Sequence, residues 1–249
     1  MEIYIKRQFS LKIILILLLI TVVVLTVVFT NIGCNILVTR YEEEHKENEE
    51  SEDVAFQEII SLPEPKIKGE MSLEEAIKDR RSIRSFDEKD LNLEQISQLL
   101  WAAQGITDER GHRASPSAGA LYPLELYIVK KDGAYHYVPE GHKLEMILKG
   151  DLRKKLKDAC LGQQWIEEAP INIVITGIYE RTTVKYGERG IRYVHLEAGH
   201  ACQNILLQSI SLGLGAVPVG GFHDREVQEI LNLEENYIPF YVIPIGYKK

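Results

Sequence analysis

The segment Asp79–Phe86 reads DRRSIRSF and places three arginines and two serines within eight residues. Guanidinium groups present forked donors that match a phosphate dianion, and hydroxyl groups add shorter donors to the same oxygens. The segment follows a predicted helix, because residues 72–75 (SLEE) form a capping box that starts a helix running to about Asp79. The pattern indicates an anion-binding loop. The alternative is a basic turn in which Arg81 merely pairs with an acidic neighbour such as Asp79.

The chain is acidic overall, with 29 Lys and Arg against 37 Asp and Glu in 249 residues and a formal net charge of -8. This balance argues against nucleic-acid binding, which needs a basic footprint. The length allows one globular domain of roughly 190 residues plus extra segments. The cysteines Cys34, Cys160 and Cys202 form neither a zinc-binding spacing nor a disulfide framework, so no metal site is predicted.

Residues 1–34 are predicted to lie outside the globular domain, as a membrane anchor or signal segment. Lys6, Arg7 and Lys12 precede an apolar run over residues 13–29. At 1.5 Å per residue, a run of about 17 to 19 residues spans roughly one hydrocarbon core. Because an acidic stretch follows the run, the charge distribution predicts a single anchor in the cell membrane with the domain outside the cytoplasm.

Two motifs leave other outcomes open for this segment. Residues 31–34 (NIGC) resemble a lipoprotein cleavage box, and residues 6–12 (KRQFSLK) resemble a twin-arginine export signal, so a lipidated or exported form is an alternative. Residues 35–68 follow as an acidic spacer and extended linker, since residues 41–53 are dense in glutamate. The globular domain is predicted to span residues 69–249.

Helices and strands alternate in this domain. Beyond the first helix, helical patterns cover residues 92–104, 151–161, 193–212 and 224–231. Strand patterns cover residues 124–129, 135–138, 171–177, 216–219 and 240–245, the first two as a hairpin across Asp132-Gly133. The alternation, with a hairpin inside it, predicts an α+β layered fold. The helix over 193–212 is apolar on more than one face and is expected to be central or at an interface.

Five segments form an ordered set. They are Asp79–Phe86, Ser115–Pro123 (SPSAGALYP), Gly162–Trp165 (GQQW), Leu196–His200 (LEAGH) and Gly213–Val217 (GLGAV). In this order they resemble the nitroreductase family of FMN-dependent oxidoreductases, most of all its SagB/ThcOx-type dehydrogenase branch. The resemblance covers about Leu73–Lys248. It implies a three-layer α+β sandwich, here preceded by the N-terminal transmembrane helix or signal segment, and a homodimer with FMN bound at the subunit interface.

The resemblance also implies which residues contact the cofactor. Arg80, Arg81, Ser82 and Arg84 would hold the FMN phosphate and one edge of the flavin. Arg84 is the candidate cation near N1, where it would stabilise the reduced ring. Ser115, Pro116 and Ser117 would lie against the isoalloxazine ring. The other implied contacts are Gln163, or Gln164, at the flavin edge, Gly215, Ala216, Val217 and Gly220 along one flavin face, and Lys248 at the phosphate.

Lys185-Tyr186 is the signal for the branch. In SagB-type azoline dehydrogenases a Lys-Tyr pair is associated with proton removal while hydride leaves to flavin N5. A desolvated lysine beside the flavin can act as that base, with Tyr186 orienting it or relaying the proton. The alternative is a surface lysine and a packing tyrosine.

The sequence thus predicts an FMN-dependent oxidoreductase that transfers hydride between a substrate and flavin N5, as an azoline-type dehydrogenase or a related oxidising enzyme. Two alternatives stay open: an NAD(P)H-dependent nitro or quinone reductase, and a non-catalytic flavin-binding subunit at the membrane. The expected substrate is a small molecule or a peptide. The electron donor or acceptor, whether NAD(P)H, quinone or oxygen, is not specified by the sequence.

Overall fold

The computed structural model describes residues 58–249, in which helices pack on both faces of a seven-stranded sheet. The strands are β1 (Ile59–Ser61), β2 (Leu124–Lys130), β3 (Gly133–Val138), β4 (Lys143–Lys149), β5 (Ile171–Gly177), β6 (Leu214–Ala216) and β7 (Ile238–Tyr247). The helices are α1 (Leu73–Asp79), α2 (Leu93–Gln104), α3 (Arg153–Ala159), α4 (Trp165–Glu168), α5 (Glu180–Tyr186), α6 (Arg189–Ser211) and α7 (Asp224–Ile230). This arrangement is the predicted α+β class.

The sheet has the order β1-β4-β3-β2-β5-β7-β6, and neighbouring strands pair antiparallel throughout. Alternate residues of a strand point to opposite faces, so β2 sends Leu126 and Ile128 to one core and Tyr127 and Val129 to the other. Helices α2 and α6 cover the first face, and α3, α4 and α7 cover the second. Because β5 lies between these two layers, all seven of its residues are buried.

The predicted starts of helices α1 and α2 are confirmed. Ser72 and Glu75 exchange hydrogen bonds in a capping box at the start of α1. Asn92 and Gln95 do the same at the start of α2. In each pair, the two side-chain oxygens accept from two backbone N–H groups at the helix start that would otherwise lack a partner. The first of these caps fixes the start of α1, and the arginine-rich segment follows directly after that helix ends at Asp79.

Four elements are not predicted by the sequence, namely strands β1 and β4 and helices α4 and α5. Strand β4 reads KLEMILK, a composition that also suits a helix, and it is extended because it pairs with β3 on one side and β1 on the other. Helix α5 contains Thr182, Thr183 and Val184, whose β-branched side chains lower helix propensity. It is helical because it packs along the start of α6.

The predicted membrane segment over residues 1–34 lies outside the described residues, as does most of the predicted spacer, and both stay predictions. Within residues 58–249, no helix combines the length and the apolar character that crossing a bilayer requires.

Candidate active site

The arginine loop, residues 80–85, lies beside the ends of the edge strand β6 and its neighbour β7. Ser82 forms a parallel bridge with Ala216 of β6, and Phe86 forms an antiparallel bridge with Lys248 just after β7. The fold thus brings together the arginine loop and Lys248, which the resemblance assigns to the phosphate, and Ala216, which it assigns to a flavin face. Those segments are far apart in the chain.

The glycines between α6 and β6 allow this approach in two ways. Gly213 has φ +72°, a left-handed conformation that ends α6 and favours glycine. Gly215 packs on the arginine loop itself, because a Cβ atom placed on it would lie 2.8 Å from Cβ of Ile83. The resemblance places Gly215 along a flavin face. In the single chain, the group that closely approaches Gly215 is Ile83 of the arginine loop.

Gly215→Ala is expected to destabilise the protein by about 1–3 kcal/mol, the usual cost of overpacking, and to displace the arginine loop. Gly69→Ala is a suitable control, because a Cβ atom there meets nothing within 4 Å. Chemical denaturation of both variants measures the effect. Equal denaturation midpoints for the two variants would show that Ile83 does not press on Gly215.

The arginine loop carries charges that the described part of the chain leaves unneutralised. Within residues 58–249, no carboxylate forms an ion pair with Arg80, Arg81 or Arg84. Arg81 Nη1 instead donates to the carbonyl oxygens of Lys78 at 2.9 Å and Arg80 at 2.8 Å. The Arg81–Asp79 pair considered as an alternative does not form. The loop therefore concentrates positive charge that a bound anion could neutralise.

The GQQW segment lies next to this loop. The Arg84 guanidinium carbon is 5.6 Å from the centroid of the Trp165 ring, a cation–π distance. Gln163 Nε2 donates to the carbonyl oxygens of Cys160 at 2.9 Å and Gly221 at 3.1 Å. Gln163 thus ties the loop after α3 to the loop after β6, and its side-chain carbonyl oxygen is the group it retains for a ligand.

Val217 and Gly220, two further predicted cofactor contacts, differ in their exposure to solvent. Val217 is 2% exposed and packs in the core, and its N–H points to the carbonyl oxygen of Pro244 at 3.4 Å. Gly220 is exposed, and a Cβ atom on it would meet nothing closer than 4.0 Å. Of the two, Gly220 is the one that leaves space for a flat ring.

The segment Ser115–Tyr122 forms a second group, which we call the strained segment. Gly119, Ala120 and Tyr122 all have positive φ, at 66°, 54° and 46°. Such conformations in non-glycine residues persist only where the surrounding structure enforces them, and they cluster at functional sites. Ser117 Oγ helps to enforce them here, since it accepts a hydrogen bond from the Tyr122 N–H at 2.9 Å.

The three residues predicted to face a ring are not equivalent. Ser115 is fully buried, and its Oγ accepts a hydrogen bond from Asn204 Nδ2 of α6 at 3.2 Å. Ser115 therefore anchors the strained segment to α6. Pro116 is exposed and Ser117 is half-buried, so these two residues present the outer surface of the segment.

Lys185 and Tyr186 meet the strained segment at Gly119. A Cβ atom on Gly119 would lie 2.8 Å from Tyr186 Oη and 2.9 Å from Lys185 Nζ, so the functional ends of both side chains rest on the glycine backbone. Tyr186 also packs edge-on against Tyr193, with ring centroids 5.2 Å apart. The sequence predicts both segments as functional, and the fold places them in contact. In the single chain, however, Lys185 is exposed and not desolvated as the predicted base role requires.

An ion pair that the sequence analysis missed holds α5 in this position. Arg181 lies one helical turn before Lys185; its Nη1 is 2.6 Å from Glu125 Oε1 of β2 and donates to the Tyr122 carbonyl oxygen at 3.3 Å. Burial raises the pKa of Glu125, but its hydrogen bond to His136 and the charge of Arg181 outweigh burial and hold the pKa below its ordinary value. The four-residue spacing of Arg181 and Lys185 on one helix face was the available signal.

The two groups of candidate residues meet α6 at different places. Tyr186 packs on Tyr193 near the start of α6 and Ser115 is bonded to Asn204 further along it, whereas the arginine loop bonds to Ala216 just beyond its end. Helix α6 has 23 residues and is therefore about 34 Å long. Within residues 58–249, no hydrogen bond or ion pair joins the two groups. One chain thus carries two half-sites that it does not bring together.

Comparison with known proteins agrees with this fold and these segments. A sequence model of the nitroreductase family matches residues 77–247. The chain is 45% identical over 195 residues to the MJ1384 protein of Methanocaldococcus jannaschii, named as a nitroreductase, covering 76% of this chain and 96% of that protein. It is 26% identical over 168 residues to the microcin B17-processing protein McbC of Escherichia coli, covering 63% of this chain and 62% of McbC.

A solved structure supports the same assignment at the level of the fold. The crystal structure of a protein from Ralstonia eutropha, described as a nitroreductase, superposes with a TM-score of 0.71 at 32% identity, over 79% of this chain and 92% of that one. The family match covers more than half of the present chain, and the arginine loop, the strained segment and the glycine turn all fall inside it. The chain therefore belongs to the nitroreductase family and is an oxidoreductase.

Proposed function

We propose that the protein is an FMN-dependent oxidoreductase that moves hydride between a substrate and flavin N5, in the oxidising direction of an azoline-type dehydrogenase. The observation that carries this proposal is the contact of Lys185 Nζ and Tyr186 Oη with Gly119. The same strained segment is the part of the chain that the family resemblance lays against the isoalloxazine ring. A base and the ring would then meet at one place, which oxidation of a carbon–nitrogen bond requires.

The residues of the arginine loop fit the phosphate of FMN. The loop's three guanidinium groups have no carboxylate partner in residues 58–249, so they are free to form charged hydrogen bonds to a phosphate dianion. Ser82 adds a hydroxyl donor. Lys248 is held beside the loop by the bridge to Phe86. In this reading Arg80, Arg81, Ser82, Arg84 and Lys248 hold the phosphate, Gly220 and Gln163 lie along the ring, and bound FMN supplies the hydride acceptor.

Two copies of the chain would complete the site. In one chain the two half-sites contact different parts of α6, and within residues 58–249 no hydrogen bond or ion pair joins them. A two-fold axis across α6 would place the arginine loop of one copy beside the strained segment of the other, twice per dimer. Ile191 and Leu196 of α6 are 40% and 51% exposed in the single chain, and a second copy would cover such apolar side chains.

In this site each catalytic side chain has one task. Lys185 Nζ takes a proton from the substrate bond that is oxidised, while hydride leaves that bond on the other side. Tyr186 Oη, which lies against the same glycine, orients the Lys185 amine, which acts as the base in its neutral form, and can pass the proton on. The Glu125–Arg181 pair fixes α5 against β2, which holds Lys185 in a single position relative to the substrate.

Anaerobic stopped-flow absorbance of the FMN-loaded protein tests the direction of hydride flow. A thiazoline peptide, NADH and NADPH are offered in turn. Bleaching of the flavin by the peptide supports the proposal. Bleaching by NADH or NADPH alone would favour a nitro or quinone reductase, which the name of the Methanocaldococcus relative also favours. A flavin that no donor bleaches would favour a non-catalytic flavin-binding subunit.

Complementation between two inactive variants tests the shared site. One chain carries Arg81→Ala and Arg84→Ala, and the other carries Lys185→Ala. If each site takes its half-sites from different chains, a co-expressed mixture contains dimers with one intact site, and turnover returns to about a quarter of the wild-type value. Turnover that stays at the level of the separate variants would mean that each site is built from a single chain.

A further inference from the structure

Glu197 is a buried carboxyl group in α6 that the proposed function does not use. Its side chain is 2% exposed and lies close to Ser117 of the strained segment and Gln104 of α2. Within residues 58–249, Glu197 Oε1 and Gln104 Nε2 have no hydrogen-bond partner. A buried polar atom without a partner costs free energy. Burying this carboxyl group therefore costs stability, and packing alone gives no reason for a carboxyl group at this position.

The charges around Glu197 do not neutralise it. Arg113 is the charged group that acts on it, but that guanidinium is shared, with Nη1 donating to Gln104 Oε1 at 3.2 Å and Nη2 to Glu140 Oε1 at 3.3 Å. Burial raises the pKa of Glu197 to about 7, although three neighbouring polar groups act to lower it. The group therefore changes its protonation state near neutral pH.

The other elements that pack on this part of α6 carry charged groups that either pair with other residues or contact a neighbour of Ser117. Glu125 of β2 is held by Arg181 and His136. Lys185 of α5 reaches Gly119, two residues from Ser117. On α6 itself, the flanking titratable side chains are Tyr193, which packs on Tyr186, and His200, which is exposed.

The strained segment connects Glu197 to the proposed chemistry. Glu197 approaches Ser117 from inside the protein, while Lys185 and Tyr186 contact Gly119 of the same segment. In the proposed function, this segment lies against the flavin ring. One residue would therefore separate the carboxyl group from the ring, a distance over which charges interact strongly in a partly buried site.

We propose that Glu197 is a redox-linked proton site, which takes up a proton when the flavin accepts hydride and releases it when the flavin gives hydride away. The inference rests on the proposed function and deepens it. Two hydrogens leave the substrate, one as hydride to the flavin and one as a proton to Lys185. The proton then passes to Glu197, so the negative charge gained by the flavin is matched by the charge lost at the carboxylate. Glu197 itself holds this proton, and Ser117 lies between it and the ring.

The first arm of the test uses the full chain without FMN and is independent of the redox proposal. The pKa of Glu197 rises from its ordinary value of 4.5 in the unfolded chain to about 7 in the folded protein, so the folded state binds more protons in between. Stability should therefore fall as the pH rises from about 5 to about 8. The side chain at position 197 stays neutral in Glu197→Gln, so this variant should lose this part of the pH dependence. Glu94→Gln, which removes an exposed carboxyl group of α2, should keep it.

The second arm uses the FMN-loaded protein. The midpoint potential of the flavin in the wild type should vary with pH more steeply than in Glu197→Gln, by about one proton per two electrons near neutral pH. An infrared difference spectrum on flavin reduction should show a carboxylic acid band that is absent in Glu197→Gln. The Glu94→Gln protein should match the wild type in both measurements.

The outcomes separate the two proposals. Equal potential slopes for wild type and Glu197→Gln, with no carboxylic acid band, would overturn the proton site while leaving flavin chemistry intact. A wild-type pH profile of stability identical to that of Glu197→Gln would also overturn it, since the carboxyl group would then not titrate in this window. A protein that takes up no FMN would overturn the proposed function, and the inference with it, even if the first arm gave the expected profile.

Discussion

Lys185→Ala is expected to lower substrate-dependent flavin reduction by about 10²- to 10⁴-fold, the usual contribution of a general base. The physical reason is the position of Lys185 Nζ on the backbone of Gly119, where Tyr186 Oη also lies. Binding of FMN should be unaffected, because the arginine loop lies at the other end of α6. Single-turnover flavin absorbance measures the rate, and the absorbance of the purified protein measures the bound flavin.

Two further variants sharpen this test. Lys155→Ala removes an exposed lysine of α3 and should leave the rate unchanged. Tyr186→Phe keeps the ring packing on Tyr193 and removes the hydroxyl group, so its rate should fall between those of the wild type and Lys185→Ala. If Lys185→Ala reduces the flavin at the wild-type rate with every substrate that bleaches it, the lysine is not the base.

The combined change of Arg81→Ala and Arg84→Ala is expected to weaken FMN binding by about 10²- to 10⁴-fold. Each charged hydrogen bond is worth about 1.5–3 kcal/mol, and 1.4 kcal/mol corresponds to a tenfold change in affinity. The loss should be large because the two substitutions remove two of the three guanidinium groups of the arginine loop. Quenching of FMN fluorescence on titration with apoprotein measures the affinity.

The control for this prediction is Arg110→Ala, which removes a side chain that is 79% exposed and pairs with Asp108. It lowers the net charge by one without touching the arginine loop, so FMN affinity should stay close to wild type. An Arg81→Ala, Arg84→Ala protein that binds FMN as tightly as Arg110→Ala would show that the phosphate is held elsewhere.

Local signals account for the elements that the sequence predicts well. The capping boxes at Ser72 and Asn92 act over three residues, and both helices begin where they indicate. The run over β5 is apolar at nearly every position because the strand is covered on both faces, and its bounds were predicted correctly. Such patterns need no knowledge of distant contacts.

Elements whose conformation depends on distant partners were missed. Helix α5 has poor local propensity and is held by α6 and by the Arg181–Glu125 pair. Helix α6 begins at Arg189, four residues before the predicted start, because α5 packs against that first turn. The sequence therefore indicates Lys185 as functional without indicating the helix that presents it.

The sequence by itself determined the family, the α+β class and the separate segments that carry the candidate chemistry, because each is written in contiguous residue types and spacings. Only the tertiary structure decided how these segments meet. It placed Lys185 and Tyr186 on Gly119, turned Ser115 inward to α6, buried Glu197 beneath Ser117, and set the arginine loop at the far end of a 23-residue helix. The physical reason is that burial and contact arise from packing between elements distant in the chain, and no local pattern records which side chains that packing will bring together.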